Sequence, residues 1–347
     1  MIKEHNRGID LLRLTLMLMI CVLHVLGQGG IILNTNNGTI RYGIFWFLEI
    51  FCYCAVDSFA LISGYMSSNK PNKYNKLISL WFKVLFYSFF VTLFFVLIGK
   101  ANNIGIKDII TNAFPIIYEK YWYITAYFLM FLSMPILNKY LFSIDNSKAK
   151  KVFIVLILLF TLVGFIGDPF SIKSGYSALW IIILYCIGVL GNKINILENK
   201  KTIFLLCLWV FLIAITWFGY VILGVKELVT YTSPTILLMG LIIVILFKRI
   251  KIKSNIITYL SSLSLGVYLL QCNQVIWNNI ILNRFSFIKD ENIFLAVFHI
   301  FLYSLIIWLA GLLVELFRSK LAKILKIDLL SNKIVKIINN CLEKIKI

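Results

Sequence analysis

Charged residues and proline are scarce in this chain. Asp, Glu, Lys and Arg make up only 14% of its 347 residues, whereas soluble domains contain about 25%. Five prolines and no Ser- or Gly-rich stretch leave no candidate linker. Hydrophobic residues make up 61% of the chain, and its mean hydropathy is +0.91. Because no polar stretch is long enough to enclose a core of its own, the composition excludes a separate soluble domain.

Histidine is also rare, and the cysteines lack metal-site spacing. His5, His24 and His299 are far apart and form no ligand motif. Cys52 and Cys54 are two residues apart, so on a helix they point to different faces. The sequence therefore predicts no bound metal and free thiols that pack as small core residues.

What the chain has instead is a series of apolar segments of about membrane-spanning length. They predict an all-α polytopic transmembrane helical bundle of about ten spans. The first is expected to be retained, since no small-residue cleavage site follows it, and the ninth to break near Gly266. The predicted spans are 8–27, 43–66, 77–98, 121–141, 151–166, 176–191, 202–223, 228–247, 256–282 and 293–317.

Positive charge falls mainly in alternate loops. Of the 34 lysines and arginines, 24 lie on one side of the predicted spans and 8 on the other. The positive-inside rule then predicts that both termini are cytoplasmic. The same distribution explains the net charge of +19 without a nucleic-acid partner. Residues 1–317 form the predicted transmembrane domain, and 318–347 a basic amphipathic tail on anionic inner-leaflet lipids.

The first span contains an arginine and a histidine, Arg13 and His24. Such groups are costly inside a bilayer and usually mark function. Eleven residues correspond to about three helical turns, so the two side chains share one face and lie roughly 16 Å apart along the axis. Asp10 lies one turn before Arg13. This polar stripe is expected to face protein or water.

The second span contributes two acids, Glu49 and Asp57. Because this span runs in the opposite direction, Glu49 is expected near the depth of His24 and Asp57 near that of Arg13. Glu49 would then orient the imidazole, and Asp57 would pair with Arg13. Two plainer interpretations stay open, a helix-pairing salt bridge for Asp57 and a passive buried histidine at position 24.

Two further groups of residues are candidate binding sites. Glycine at the end of the second span permits close backbone approach, and the lysines that follow either bind a phosphorylated cofactor or only obey the topology rule. Aromatic residues at the start of the fourth span either mark the membrane interface or stack on a sugar. The candidates are Ser63, Gly64, Tyr65, Lys70, Lys73, Lys76 and Lys83 for the cofactor, and Trp122, Tyr123, Tyr127 and Gln271 for the substrate.

Four motifs in order resemble the acyltransferase-3 family of integral membrane acyltransferases. Arg13 and His24 are separated by ten residues, as in the first helix of that family. The runs Val56 to Tyr65, Trp122-Tyr123 and Ser264 to Leu270 are similar to its other signatures. The resemblance covers roughly residues 6–315. This chain has Gln271 where many members have histidine, and lysines where many have an arginine cluster.

The resemblance implies transfer of an acyl group, most often acetyl, from a cytoplasmic donor such as acetyl-CoA. The implied acceptor is a hydroxyl of a cell-surface polysaccharide, of a capsule or cell wall, or of its lipid-linked precursor. His24 would act as general base or transient acyl carrier, and Arg13 would bind the donor or hold Asp57. The Lys-, Ile- and Asn-rich composition hints at an AT-rich bacterial genome, hence the bacterial cytoplasmic membrane. The rival interpretations are a polysaccharide transporter or flippase without acyl transfer, and a sensor or scaffold domain.

Overall fold

The computed structural model describes residues 5–69, 73–101 and 104–344, and within these ranges its regular structure is helical with no β-strand. The prediction of an all-α fold is confirmed. The helices are α1 (Arg7–Gln28), α2 (Ile40–Tyr65), α3 (Tyr74–Leu97), α4 (Ile106–Ala113), α5 (Trp122–Ser143), α6 (146–166), α7 (Ala178–Lys193), α8 (Thr202–Ile222), α9 (Lys226–Lys248), α10 (Asn255–Gln271), α11 (Gln274–Asp290), α12 (Ile293–Ile324) and α13 (Ile327–Lys344).

Within the described ranges, seven helices are long and apolar enough to cross a membrane: α1, α2, α3, α5, α8, α9 and α12. The pair α10 and α11 would add an eighth span if it crosses as one unit, and α7 is a shorter apolar helix. The segment predicted at 151–166 lies in α6. The chain is therefore a multi-pass membrane protein, and the count of ten spans stays a prediction.

The ninth predicted span is broken, but not at Gly266. Helices α10 and α11 meet at an angle of 60° after Gln271. Buried Asn273 stabilises the break, because its Oδ1 accepts from the backbone N–H of Val275 at 3.0 Å and its Nδ2 donates to Tyr87 O at 2.8 Å. The helix continues through Gly266, where a Cβ would lie 2.4 Å from that of Glu315. The absence of a side chain there permits close helix packing, and the predicted position of the break was wrong.

Helix α1 is the centre of the bundle. It packs against α2, α9, α10 and α12, and Asn6 caps its start by accepting from Ile9 N at 3.2 Å. Asp10 is only 2% exposed although it is charged. The polar stripe of this helix therefore faces protein, as its spacing predicts.

The loops predicted to share one side of the membrane meet at one end of the bundle. Asn6 donates to Lys248 O at 2.9 Å, ahead of α1 and at the end of α9. Helix α13 packs on the first turns of α3, where Asn75 donates to Asn332 at 2.8 Å. Both ends of the described chain therefore lie at this end, whose cytoplasmic assignment stays a prediction. Helix α12 continues past the predicted boundary at 317, so the tail helix begins at Ile327.

Candidate active site

A cavity of about 1140 Å³ runs beside α1. Arg13, Met17, Ile20, His24 and Gly27 line it, and their spacing of three or four residues places them on one helix face. Over this stripe the axial rise from Arg13 to His24 is about 16 Å. One cavity therefore connects Arg13 and His24.

His24 is half-buried and begins a π-helical turn, His24–Gln28, that ends α1. Such turns are frequent at functional sites. Its Nδ1 lies 3.1 Å from Gln271 Oε1, at the end of α10, and its ring contacts Trp277 edge-on at 5.0 Å. With the amide oriented in this way, Nδ1–H donates to Gln271 and Nε2 carries the lone pair. This tautomer is the one that a general base or nucleophile at Nε2 requires.

Arg13 is fixed from its own helix. Its Nη1 donates to Asp10 Oδ1 at 2.9 Å, and Asp10 Oδ2 lies 2.6 Å from His5 Nε2. The Arg13 side chain remains 34% exposed because it lines the cavity. Tyr127 and Ser63 also line the cavity, and Tyr127 interacts with both Ser63 and Arg13. This end of the cavity therefore combines a fixed guanidinium with two hydroxyl groups.

The predicted pairings of Glu49 and Asp57 were wrong. Glu49 lines the cavity and reaches the turn after His24, where Gly27 lies opposite it, but Gln271 holds the imidazole. The carboxylate of Asp57 turns away from Arg13 and accepts from Trp180 Nε1 of α7 at 3.0 Å. It is fully buried behind the cavity wall. Asp10 takes the predicted place of Asp57 because one helical turn already brings it to Arg13.

The walls of the cavity are aromatic. The predicted substrate residues Trp122, Tyr123 and Tyr127 all line it, while Gln271 lies behind His24 and is only 1% exposed. Other aromatic residues of the lining were missed, because they belong to segments far apart in the sequence that only the fold brings together. They are Trp46, Tyr53, Tyr118, Tyr121, Tyr176, Tyr220, Tyr231, Tyr268 and Trp277.

Tyr176 belongs to this aromatic wall and lies just before α7. The ring of this tyrosine lies 4.9 Å from that of Trp122 and 5.0 Å from that of Tyr231.

The three residues of the Ser63-Gly64-Tyr65 motif have different roles. Ser63 lines the cavity. Gly64 faces α7, where a Cβ would lie 2.0 Å from Tyr185 O, so it serves helix packing. Tyr65 donates to Glu198 and accepts from Lys248 Nζ at 3.0 Å. Only Ser63 thus contacts the space where a cofactor would bind.

Three of the predicted lysines, Lys73, Lys76 and Lys83, lie outside the cavity lining. Lys83 Nζ binds Glu315 Oε1 at 2.8 Å, in a buried cluster to which Arg318 and Tyr87 also donate. Lys73 and Lys76 are exposed at the start of α3, and Lys70 lies outside the described residues. Glu315 is only 1% exposed, and a buried carboxylate requires compensating cations. Lys83 therefore serves as a counter-ion of Glu315.

Within the described part of the chain, no three His, Cys, Asp or Glu side chains cluster closely enough to hold a metal ion.

Comparison with known protein families places this chain among the acyltransferases. A sequence model of the acyltransferase-3 family, described as an acyltransferase domain, matches residues 6–314. The chain belongs to the acyltransferase-3 family. The match includes every lining residue of the cavity, whereas the tail helix α13 of this acyltransferase lies beyond it. Searches of curated proteins and of solved structures found no match.

Proposed function

We propose that this membrane acyltransferase moves an acetyl group from cytoplasmic acetyl-CoA to a hydroxyl of a surface polysaccharide, or of its lipid-linked precursor, in a bacterial cytoplasmic membrane. The observation that carries the proposal is the single cavity lined by both Arg13 and His24. It joins a cationic end suited to a phosphorylated donor with a histidine suited to proton transfer.

The donor enters at the Arg13 end. The guanidinium and the hydroxyl of Tyr127 supply hydrogen-bond donors for its polar groups, whereas the Ser63 hydroxyl donates to Phe59 O at 3.0 Å and supplies an acceptor. Exposed Lys73 and Lys76 add positive charge at the same end of the bundle. The acceptor sugar enters at the other end, where Trp122 and Tyr123 offer ring faces and a hydroxyl.

His24 acts as general base. Its Nε2 takes the proton of the acceptor hydroxyl while that oxygen attacks the thioester carbonyl carbon. The carbon–sulfur bond then breaks, and the CoA sulfur takes the proton back from the imidazolium. The products are an O-acetyl sugar and free CoA. Gln271 holds Nδ1 throughout, so the reacting nitrogen keeps its direction.

The test is a reconstituted assay in lipid nanodiscs with acetyl-labelled acetyl-CoA and surface polysaccharide whose O-acyl groups mild alkali has removed. The wild type is expected to label the polysaccharide. His24→Ala should lower kcat by about 10²- to 10⁴-fold, the usual contribution of a general base. The matched control is His299→Ala, since His299 binds Glu291 at 2.7 Å away from the cavity and should keep its activity.

Two outcomes would contradict this function. Labelled polysaccharide from His24→Ala at the wild-type rate would remove His24 from the chemistry. Passage of the polysaccharide across proteoliposomes with no label transferred by the wild type would establish the transporter interpretation instead.

A further inference from the structure

One oxygen of the buried Glu49 carboxyl group lacks a hydrogen-bond partner in the described part of the chain. Glu49 lines the cavity and is only 8% exposed. Its Oε2 is buried and has no hydrogen-bond partner among the described residues. A buried carboxylate without partners costs several kcal/mol, so its retention here points to a ligand that donates hydrogen bonds to it.

Two neighbours on α2 extend the same surface. Trp46 lies one turn before Glu49 and Tyr53 one turn after it, and all three line the cavity. The indole Nε1 of Trp46 is also buried with no partner in the described structure. One helix face thus offers a hydrogen-bond donor, an acceptor and an aromatic ring.

Gly27 keeps this surface open toward the reacting histidine. It lies one turn beyond His24, and a Cβ at this glycine would be 3.4 Å from Glu49 Oε1. Glu49 Oε1 therefore lies beside the turn that carries His24, close enough that a methyl group on Gly27 would be in van der Waals contact with it. A ligand in the cavity that contacts Glu49 would lie next to this turn.

Aromatic rings line the cavity beside Glu49. The rings of Trp46 and Tyr220 are 4.3 Å apart, and those of Tyr53 and Tyr231 are 4.8 Å apart. The hydroxyls of Tyr53 and Tyr220 lie within electrostatic range of Glu49. Rings with polar edges suit a sugar, whose C–H faces pack on the rings while its hydroxyls reach the polar atoms.

The charge at the cavity rim distinguishes a sugar from a cation. A carboxylate among rings also suits an ammonium group. However, Lys120 and Lys226 line the cavity with only Glu119 of opposite sign beside them. Two lysines at the mouth repel an entering cation, whereas they do not repel a neutral polyol.

We infer that Trp46, Glu49 and Tyr53 form the acceptor subsite, in which Glu49 accepts hydrogen bonds from sugar hydroxyls adjacent to the one acylated at His24. This inference rests on the proposed function and assigns Glu49 to acceptor binding rather than to orientation of the imidazole.

The first test is Glu49→Gln in the nanodisc assay, which preserves shape and replaces one carboxyl oxygen with an amide NH2. The KM for alkali-treated polysaccharide should rise about 10-fold, as expected for loss of a hydrogen bond. The KM for acetyl-CoA and the Tm should stay at wild-type values. Glu227→Gln is the matched control, since Glu227 is exposed and lies outside the cavity lining.

The outcomes separate this inference from the proposed function. No transfer by the wild type would refute the function. Transfer by the wild type with an unchanged polysaccharide KM in Glu49→Gln would refute the subsite alone. A loss of kcat in that variant with the polysaccharide KM unchanged would place Glu49 in the chemistry and also overturn the subsite.

Two further measurements probe the space beside Glu49 and the ligand that occupies it. Gly27→Ala adds one methyl group at contact distance from the carboxylate, so it should raise the polysaccharide KM while the acetyl-CoA KM is kept. An unchanged polysaccharide KM would contradict the inferred position of the sugar. Glucose should inhibit competitively against the polysaccharide, whereas competitive inhibition by tetramethylammonium without inhibition by glucose would replace the sugar subsite with a cation cage.

Discussion

Gln271 holds the imidazole of His24, with its Oε1 3.1 Å from Nδ1 of that ring. The two residues are 247 positions apart in the chain, and the break after α10 brings the amide to the end of α1. A neutral amide fixes the tautomer without supplying a charge. Gln271 is therefore a positioning residue for His24 rather than a direct substrate contact.

Replacement of Gln271 tests this role. Gln271→Leu removes the acceptor for Nδ1–H and should lower kcat by about 10-fold, the upper range for one net hydrogen bond, with the acetyl-CoA KM unchanged. Gln271→His restores a ring nitrogen that can accept the bond and should recover most of kcat. Steady-state kinetics measure both values, and equal rates for Leu and wild type would contradict the role.

Donor binding by Arg13 should depend on the planar geometry of its guanidinium as well as on its charge. Arg13→Lys keeps the charge but loses the planar fork, so the acetyl-CoA KM should rise at least about 10-fold. Asp10→Asn weakens the bond that fixes the guanidinium and should raise the same KM by less. Arg7→Lys is the control, because Arg7 binds Asn255 away from the cavity. If Arg13→Lys kept the wild-type KM for acetyl-CoA, Arg13 would act only as a point charge and its planar fork would not matter.

The buried cluster around Glu315 should serve stability and not donor binding. Glu315→Gln leaves Lys83 and Arg318 without their carboxylate, and is expected to destabilise the protein by about 3–5 kcal/mol. Lys83→Met should cost less, since Arg318 still pairs with Glu315, and should leave the acetyl-CoA KM unchanged. Thermal unfolding in detergent and donor kinetics are the measurements. A raised acetyl-CoA KM in Lys83→Met would restore Lys83 to the donor site.

Gly64 should act through packing. Gly64→Ala places a Cβ 2.0 Å from Tyr185 O, so α2 and α7 must separate, at an expected cost of about 1–3 kcal/mol. Gly167→Ala is the matched control, because nothing lies within 4 Å of that Cβ and its φ of 167° is extended backbone. Unfolding midpoints that coincide for the two variants would contradict the packing role.

The sequence revealed the residues on α1 but not their partners. Helical periodicity alone places Arg13 and His24 on one face, because spacing within a helix is fixed by its pitch. The partners were predicted by matching the depths of residues in the first and second spans. Depth fixes the height of a residue in the membrane but not the rotation of its helix about the helix axis. In the structure, α2 turns Asp57 toward Trp180 and Glu49 toward Gly27, and this rotation depends on packing against α7.

The sequence by itself determined the all-α class, the membrane location, the family and the polar stripe of α1, since each follows from composition, local spacing or short motifs. Only the tertiary structure decided that Gln271 orients His24, that Asp57 bonds Trp180 and that Lys83 pairs with Glu315. These contacts depend on how helices rotate and break against one another. That arrangement is set by close packing at positions such as Gly64 and Gly266 and by the cap at Asn273.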